Sequence, residues 1–260
     1  MLHDPPATPS LAIGPCRLSV PRIYLPVPLA TGATVTLDKQ TAQHVVRVLR
    51  LRAGETLILF NGEGGEFEAT LDCAERHAAT VKIGRFIARS AESKLVVTLA
   101  QGISRGERMD YAIQKAVELG VTHIVPLFTE FCVVNIQKER EEKRLAHWQG
   151  IIIAACEQCG RNIIPTLSAP LNFQHWLADA AAGLKLLFDP YATQHLAQLA
   201  SPSGDVIILI GPEGGLSDGE TAAAKQAGFS AVQLGPRMLR TETAPVAALA
   251  AVQTLWGDLG

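Results

Sequence analysis

From Leu95 to Trp256, short apolar runs alternate with segments of helical period, and this alternation limits the possible folds more than any other feature. "LVVTLAQ", "THIVPLF", "LKLLF", "DVIILI" and "AVQLG" are each one strand long. Between and after them, "ERMDYAIQKAVELG", a long segment from about Lys138 to Cys159, "NFQHWLADA", "TQHLAQLA", "SDGETAAAKQAG" and "TETAPVAALAAVQTLW" read as helices. Strands that alternate with helices form a parallel sheet covered on both faces. The expected fold over residues 91–260 is therefore α/β. In its first helix Met109, Ile113, Ala116 and Val117 share one side, and Gly120 closes it.

Residues 21–90 have another rhythm. "RIYLPVP", "ETLILFN", "EFEATLDC" and "ATVKIGRFIAR" are short runs with β-branched or aromatic content, and "NGEGG" is a hairpin turn. One helix, "TAQHVVRVLRL", interrupts them, capped by Thr41 or Asp38. A small β-barrel with one helix is expected, with the polar stretch "ARSAESK" as the boundary. Residues 1–20 are rich in Pro and Ser and lack a basic start followed by an apolar core. They read as a disordered extension, not a signal peptide.

Composition narrows the setting. The count of five cysteines is odd, which points to reduced thiols and a cytoplasmic protein. No apolar run is long enough to cross a bilayer. The net charge of −2 does not announce a nucleic-acid binder. Yet Arg17, Arg22, Lys39, Arg47, Arg50 and Arg52 stand against Asp38 alone in their stretch. Such a basic face could follow backbone phosphates, or be an ordinary solvated surface.

Four segments could carry chemistry. "IGPEGGLS" is a glycine turn between a strand and a helix capped by Ser217 or Asp218. It lacks the lysine of a phosphate loop and the spacing of a dinucleotide loop, and Pro212 offers no N–H. Gly211, Gly214 and Gly215 admit close approach of a ligand, while Glu213 would repel a polyphosphate and suit a cation. A plain turn is the other reading. "LGPRMLRTETAPVAALAAV" sets Met238 and Leu239 between Arg237 and Arg240 before an Ala-rich helix capped by Thr241. The apolar pair either encloses an aromatic ligand or plugs the core. In "CEQCGRN" the cysteines close a helix, whereas a redox pair wants its first Cys at a helix N-terminus, and no second ligand pair for zinc exists. No metal is expected there; Glu157, Gln158 and Arg161 could instead position a polar substrate. In "RGERMDYAIQKAVELG", Arg105, Arg108 and Lys115 could reach phosphates or simply face water.

Together, "RMDYAIQKAVELGV", "EQCGR", "IGPEGGLS" and "LGPRMLRTETA" resemble, in that order, the motifs of the RsmE family, the 16S rRNA uridine-N3 methyltransferases of the SPOUT class. "PRIYLP", "HVVRVLRLRAGE" and "NGEGGE" resemble that family's PUA-like RNA-binding barrel. The resemblance implies a SPOUT-type parallel sheet with a C-terminal trefoil knot, preceded by the barrel. It implies a homodimer that uses S-adenosylmethionine (SAM), without metal or membrane. The substrate would be a U1498-type uridine of 16S rRNA in the small ribosomal subunit. A knotted methyltransferase for another RNA and a non-catalytic assembly factor are the alternatives.

The same resemblance implies site residues. SAM would lie among the strand end Leu187, Phe188 and Asp189, the turn Ile210, Gly211, Pro212, Glu213, Gly214 and Gly215, and the last loop. From that loop come Leu234, Gly235, Met238, Leu239 and Arg240, followed by Thr243 and Ala244. The family usually has Ile where Met238 stands, which keeps an apolar wall. Arg161 and Arg240 are candidates to stabilise the uracil anion, and Glu157 and Glu213 are candidate bases. Arg22, Arg47, Arg50 and Arg52, with Arg105 and Arg108, would dock RNA.

Overall fold

Apolar runs with no polar face can be satisfied only in the middle of a layered structure, and the chain builds one. The computed structural model describes residues 20–75, 78–132 and 138–260. The extension expected over residues 1–20, with Arg17, lies almost wholly outside them.

The first part holds β1 (Arg22–Tyr24), β2 (Thr34–Thr36), α1 (Lys39–Gln43), β3 (Thr56–Phe60), β4 (Glu66–Ala74) and β5 (Ala79–Ile87). Its five strands run in the order β1-β3-β4-β5-β2. β3 and β4 are the hairpin expected around "NGEGG". The end strands β1 and β2 are not neighbours in this order, so the expected barrel is a sheet with two edges around one core. That core includes Ile23, Val45, Leu57, Leu71 and Val81. β1 is shorter than "RIYLPVP", because Pro26 and Pro28 cannot donate to a ladder. Asp38, not Thr41, caps α1: its side chain accepts from the backbone N–H of Gln40 and Thr41. The expected helix then widens into a π-helical turn over His44–Val48. Arg50 follows with φ 57°, a conformation uncommon for a residue with a Cβ.

The second part runs β6 (Val97–Gly102), α2 (Glu107–Glu118), β7 (His123–Phe128), α3 (Lys138–Cys159), β8 (Thr166–Leu167), β9 (Leu171–Asn172), α4 (Phe173–Asp179) and β10 (Leu184–Phe188). It ends with β11 (Val206–Ile210), α5 (Asp218–Gln226), β12 (Ser230–Val232) and α6 (Thr243–Trp256). The sheet order is β12-β10-β11-β6-β7-β8, with β9 also on β7, and every pairing is parallel. One face packs Met109, Ile113, Trp148, Ile152 and Leu249 from α2, α3 and α6. The other packs Phe173, Trp176 and Ala224 from α4 and α5. β11, buried at every position, lies inside the sheet as the unbroken "VIILI" requires.

Two expected features differ. "TQHLAQLA" forms only a 3₁₀ turn over Leu196–Gln198, because His195 is drawn into a parallel bridge with Gln233 and the Gln194 carbonyl accepts from the Gln233 N–H at 2.9 Å. Thr241 does not cap α6. The Arg240 carbonyl accepts from Thr243 and Ala244 N–H, both at 2.9 Å, and the Thr241 hydroxyl turns inward. Among the described residues no helix is long and apolar enough to cross a membrane.

Candidate active site

A parallel sheet leaves its ligand crevice beyond the carboxyl ends of its strands. There β10, β12 and the loop after β12 enclose a cleft of ≈ 70 Å³. Phe188, Val232, Leu234, Leu239 and Ala244 give apolar walls, and Asp189 and Pro190 close one side. Gly235, at φ 75°, takes a turn that a Cβ would strain. Met238 is 66% exposed, so it is a rim residue and not a core plug. Asp189 is steadied by the Tyr191 N–H at 2.9 Å and by Lys225 at 3.8 Å. The cleft is below the roughly 300–1,000 Å³ usual for a ligand pocket, so a nucleoside-sized ligand would also use surface beyond it.

The sequence places Phe188, Asp189, Leu234, Gly235, Met238, Leu239 and Ala244 here, and the structure brings them together. Val232, Pro190 and Arg237 join them; Arg237 lies inside "LGPRMLRTETA", and Pro190 directly follows the strand end at Asp189. Leu187 and Ile210 are buried core residues behind the wall. Arg240 and Thr243 are exposed at the mouth of α6, outside the lining.

None of residues 211–215 is among the residues that line this cleft. Pro212 lies against Gly102, where an added Cβ would come within 2.5 Å, and Gly214 lies against Phe131. Gly215, at φ 73°, reverses the chain. Ser217 then caps α5 in a reciprocal box with Glu220. Glu213 Oε1 accepts from the Arg105 N–H and from Arg108 Nη1, each at 3.0 Å. Burial alone would raise the Glu213 carboxyl, but backbone N–H groups and the Arg108 guanidinium outweigh it and hold the group below its usual value. Arg108 also lies 4.0 Å from Glu242 Oε2, so one side chain of α2 spans both loops.

Behind the loops sits a buried polar hub missed by the sequence reading. Gln101, 1% exposed at the end of β6, donates from Nε2 to the Gly102 carbonyl at 3.1 Å and the Gly211 carbonyl at 3.3 Å. Thr241 donates to the same Gly211 carbonyl at 3.2 Å and shares a 2.9 Å hydrogen bond with Ser104. The last loop is thus tied to the glycine turn. A polar Gln at the end of an apolar strand was the one available signal.

The arginines divide sharply. Arg237 and Arg240 make no ion pair or side-chain hydrogen bond with any described residue, and both are exposed. Arg161 is 3% exposed and bonded to Glu92, Val117 O and Val121 O. Glu157 Oε1 accepts from the Tyr24 N–H at 2.9 Å, against the first part of the chain. Burial pushes the Glu157 carboxyl up, against the pull of that hydrogen bond. Burial also pushes the Cys156 thiol up to about 12 and raises Cys159. Both thiols are poor nucleophiles, and no group of side chains among the described residues could hold a metal.

Of the expected RNA contacts, Arg47, Arg50, Arg52 and Arg105 have exposed side chains without such partners among the described residues, whereas Arg22 is spent on Glu66 and Asn162. Arg50 and Arg52 border a shallow cleft of ≈ 620 Å³ with Asp72 and Glu75. It is larger than the cleft at the strand ends, but it is more open and lies on the other sheet.

Known proteins match this architecture. An RNA methyltransferase domain family matches residues 91–253, and an RNA methyltransferase PUA domain family matches residues 37–84. The ribosomal RNA small subunit methyltransferase E of Buchnera aphidicola (subsp. Schizaphis graminum) is 37% identical over 92% of this chain and 98% of its own. A methyltransferase of Legionella pneumophila, solved with SAM bound, superposes with a TM-score of 0.90 at 43% identity, covering 92% of this chain and 99% of that one. The Neisseria gonorrhoeae ribosomal RNA small subunit methyltransferase E, solved with SAM, gives 0.87 at 44% identity, covering 93% and 100%.

Proposed function

We propose an activity from one premise: this chain belongs to the family of ribosomal RNA small subunit methyltransferase E. The activity is methylation of ribosomal RNA with SAM as donor, and the acceptor is N3 of a U1498-type uridine in 16S rRNA of the small subunit. One observation carries most weight. The loop that walls an apolar cleft at the strand ends also carries Arg240, whose side chain has no partner among the described residues.

The residues present fit SAM. A nucleoside without phosphates needs apolar walls and backbone partners, which Phe188, Leu234, Leu239 and residues 234–235 offer. No basic side chain of the glycine turn is needed, and Asp189 suits a positively charged ligand. When bound, SAM supplies an electrophilic methyl group on a sulfonium sulfur.

The chain's own residues do the rest. The walls hold the donor, so that alignment with N3 is prepaid in the fold. Arg240 stabilises the negative charge that uracil acquires as N3 loses its proton. Glu213 Oε2, which has no hydrogen-bond partner among the described residues, is the proton acceptor. Its lowered pKa makes it a weak base, so anion stabilisation carries more of the barrier. Arg161 and Glu157 stay out of this site and serve the junction between the two parts.

Residues 21–90 would dock RNA through Arg47, Arg50 and Arg52, and residues 91–260 would carry out transfer. The tie of Thr241 to the Gly211 carbonyl beside β6 supports a trefoil knot, with the last loop threaded past the glycine turn. A homodimer fits the small cleft, since a second copy could supply further surface; the odd cysteine count supports a cytoplasmic setting. Nucleoside mass spectrometry of 16S rRNA tests the activity. N3-methyluridine should vanish when the gene is deleted and return with the purified protein and SAM; its persistence after deletion would refute the assignment.

A further inference from the structure

The segment at residues 156–162 resembles a family motif, yet none of its side chains lines the cleft. Gly160, Arg161 and Asn162 each bond to the first part or to the linker. Arg22 of β1 donates to Glu66 of β4, to the Arg161 carbonyl at 3.2 Å and to Asn162 Oδ1. Its guanidinium lies 5.0 Å from the Phe60 ring centre. Arg89 donates to the Gly160 carbonyl at 2.8 Å and to Glu66 at 3.4 Å, and Asn162 Nδ2 returns a bond to the Arg89 carbonyl at 2.8 Å. Glu92 accepts from the N–H of Asn162 and of Ile163, both at 3.0 Å, and from Arg161 Nε at 2.7 Å. Gly160 is held at φ 87°, where an added Cβ would come within 2.9 Å of Arg89. Tyr24 and Phe60, carried on the first sheet, pack into the core of the second.

Two units joined by a short polar linker move relative to each other unless a firm interface stops them. Here the linker itself, through Arg89 and Glu92, is bolted to residues 160–163. A buried charge network adds little net stability compared with apolar packing. Its bonds are directional, however, so it fixes an angle. Methyl transfer needs the reacting atoms within roughly 3–3.5 Å. RNA held on one unit meets a donor held on the other, so a small rotation at the junction displaces the target base.

We propose that residues 156–162, with Arg22, Glu66, Arg89 and Glu92, form a rigid joint that sets which nucleotide of the docked RNA reaches the cleft. Arg22 is its positioning residue. The proposal rests on the reading of residues 21–90 as the RNA-docking unit.

The full-length protein tests it through Arg22→Met, which keeps an unbranched apolar stem but removes the forked donor, and through Arg22→Lys. With Arg22→Met the SAM Kd should stay within about twofold of wild type, as an unaltered cleft requires. The KM for 16S rRNA in small subunits should rise about tenfold, with a smaller change in kcat, as expected when only RNA placement is lost. Mass spectrometry of nuclease fragments should find methyl groups on neighbouring uridines, and Arg22→Lys should recover most of the loss. An unchanged rRNA KM, or a SAM affinity that falls in step with it, would overturn the proposal. Should Arg22→Met fail to fold, Asn162→Ala enters the same assays with the same outcomes. Amide hydrogen exchange reads the joint without any RNA. Arg22→Met should speed exchange at Tyr24, Asn162 and Ile163 and leave β10 and β11 protected; unchanged exchange would overturn the joint. Failure of the wild type to methylate 16S rRNA, with the exchange result intact, would sink the activity and spare the joint.

Discussion

Residues 156–162 and residues 235–242 both carry a family motif and an arginine that the resemblance makes a candidate for catalysis, but they treat the guanidinium in opposite ways. Arg161 is buried, and its donors end on Glu92, Val117 and Val121. Arg240 is exposed on a loop beside the cleft and has no partner among the described residues. A cation with all its donors satisfied inside the fold has none to offer a substrate. A cation left unpaired beside a pocket has all of them. The two motifs thus propose opposite roles for their arginines, one in folding and one in chemistry.

The largest effect should come from breaking the buried member. Arg161→Ala leaves the Glu92 carboxylate without its cation and two carbonyls without donors, which should cost about 3–5 kcal/mol in denaturant unfolding. A variant as stable as wild type would place Arg161 back among candidates for chemistry. Arg240→Ala should lower kcat for rRNA methylation roughly 10²- to 10³-fold with little change in stability or SAM affinity. Equal losses in turnover and SAM binding, read by calorimetry, would make Arg240 a cofactor ligand instead.

Smaller effects sharpen the contrast. Reversing Arg47 and Arg50 to Glu should weaken rRNA binding and flatten its salt dependence by roughly one unit of slope per lost contact, with SAM binding intact. A salt titration that superposes on wild type would remove those arginines from the docking surface. Glu157→Gln should have the least effect. Burial raises the folded Glu157 carboxyl above its ordinary value of 4.5, so the folded state binds the proton more tightly. Stability from this group is greatest at low pH and falls as pH rises from about 4.5 through the raised value. Gln keeps an acceptor for the Tyr24 N–H and cannot ionise, so the variant should equal or exceed wild type at pH 7 and lose that slope. A stability drop at pH 7 would show that the charge itself is needed at the junction.

Much of the fold was legible before any coordinates. Unbroken "VIILI" demanded an inner strand, and the face shared by Met109, Ile113, Ala116 and Val117 demanded a covered helix. The walls of the cleft were legible too, because Leu234, Gly235, Met238 and Leu239 lie together in one motif. The polar segment at residues 88–94 was misleading. It looks like a solvated linker, but Arg89 and Glu92 find partners more than sixty residues away. Thr241 misled for the same reason: a threonine before a helix is a good cap, unless a carbonyl from a distant turn outbids the local N–H.

The sequence by itself determined the periodicities, and with them the parallel sheet, its two covered faces and the order of the motifs. Those are local properties, set by where apolar side chains recur along the chain. Only the tertiary structure decided which polar groups were left over. Whether an arginine meets a carboxylate depends on residues 69 positions apart, as for Arg161 and Glu92, and no local pattern encodes that meeting. Hydrogen bonding is short-ranged and directional, so the contrast between the bonded Arg161 and the exposed Arg240 arises only once the chain is folded.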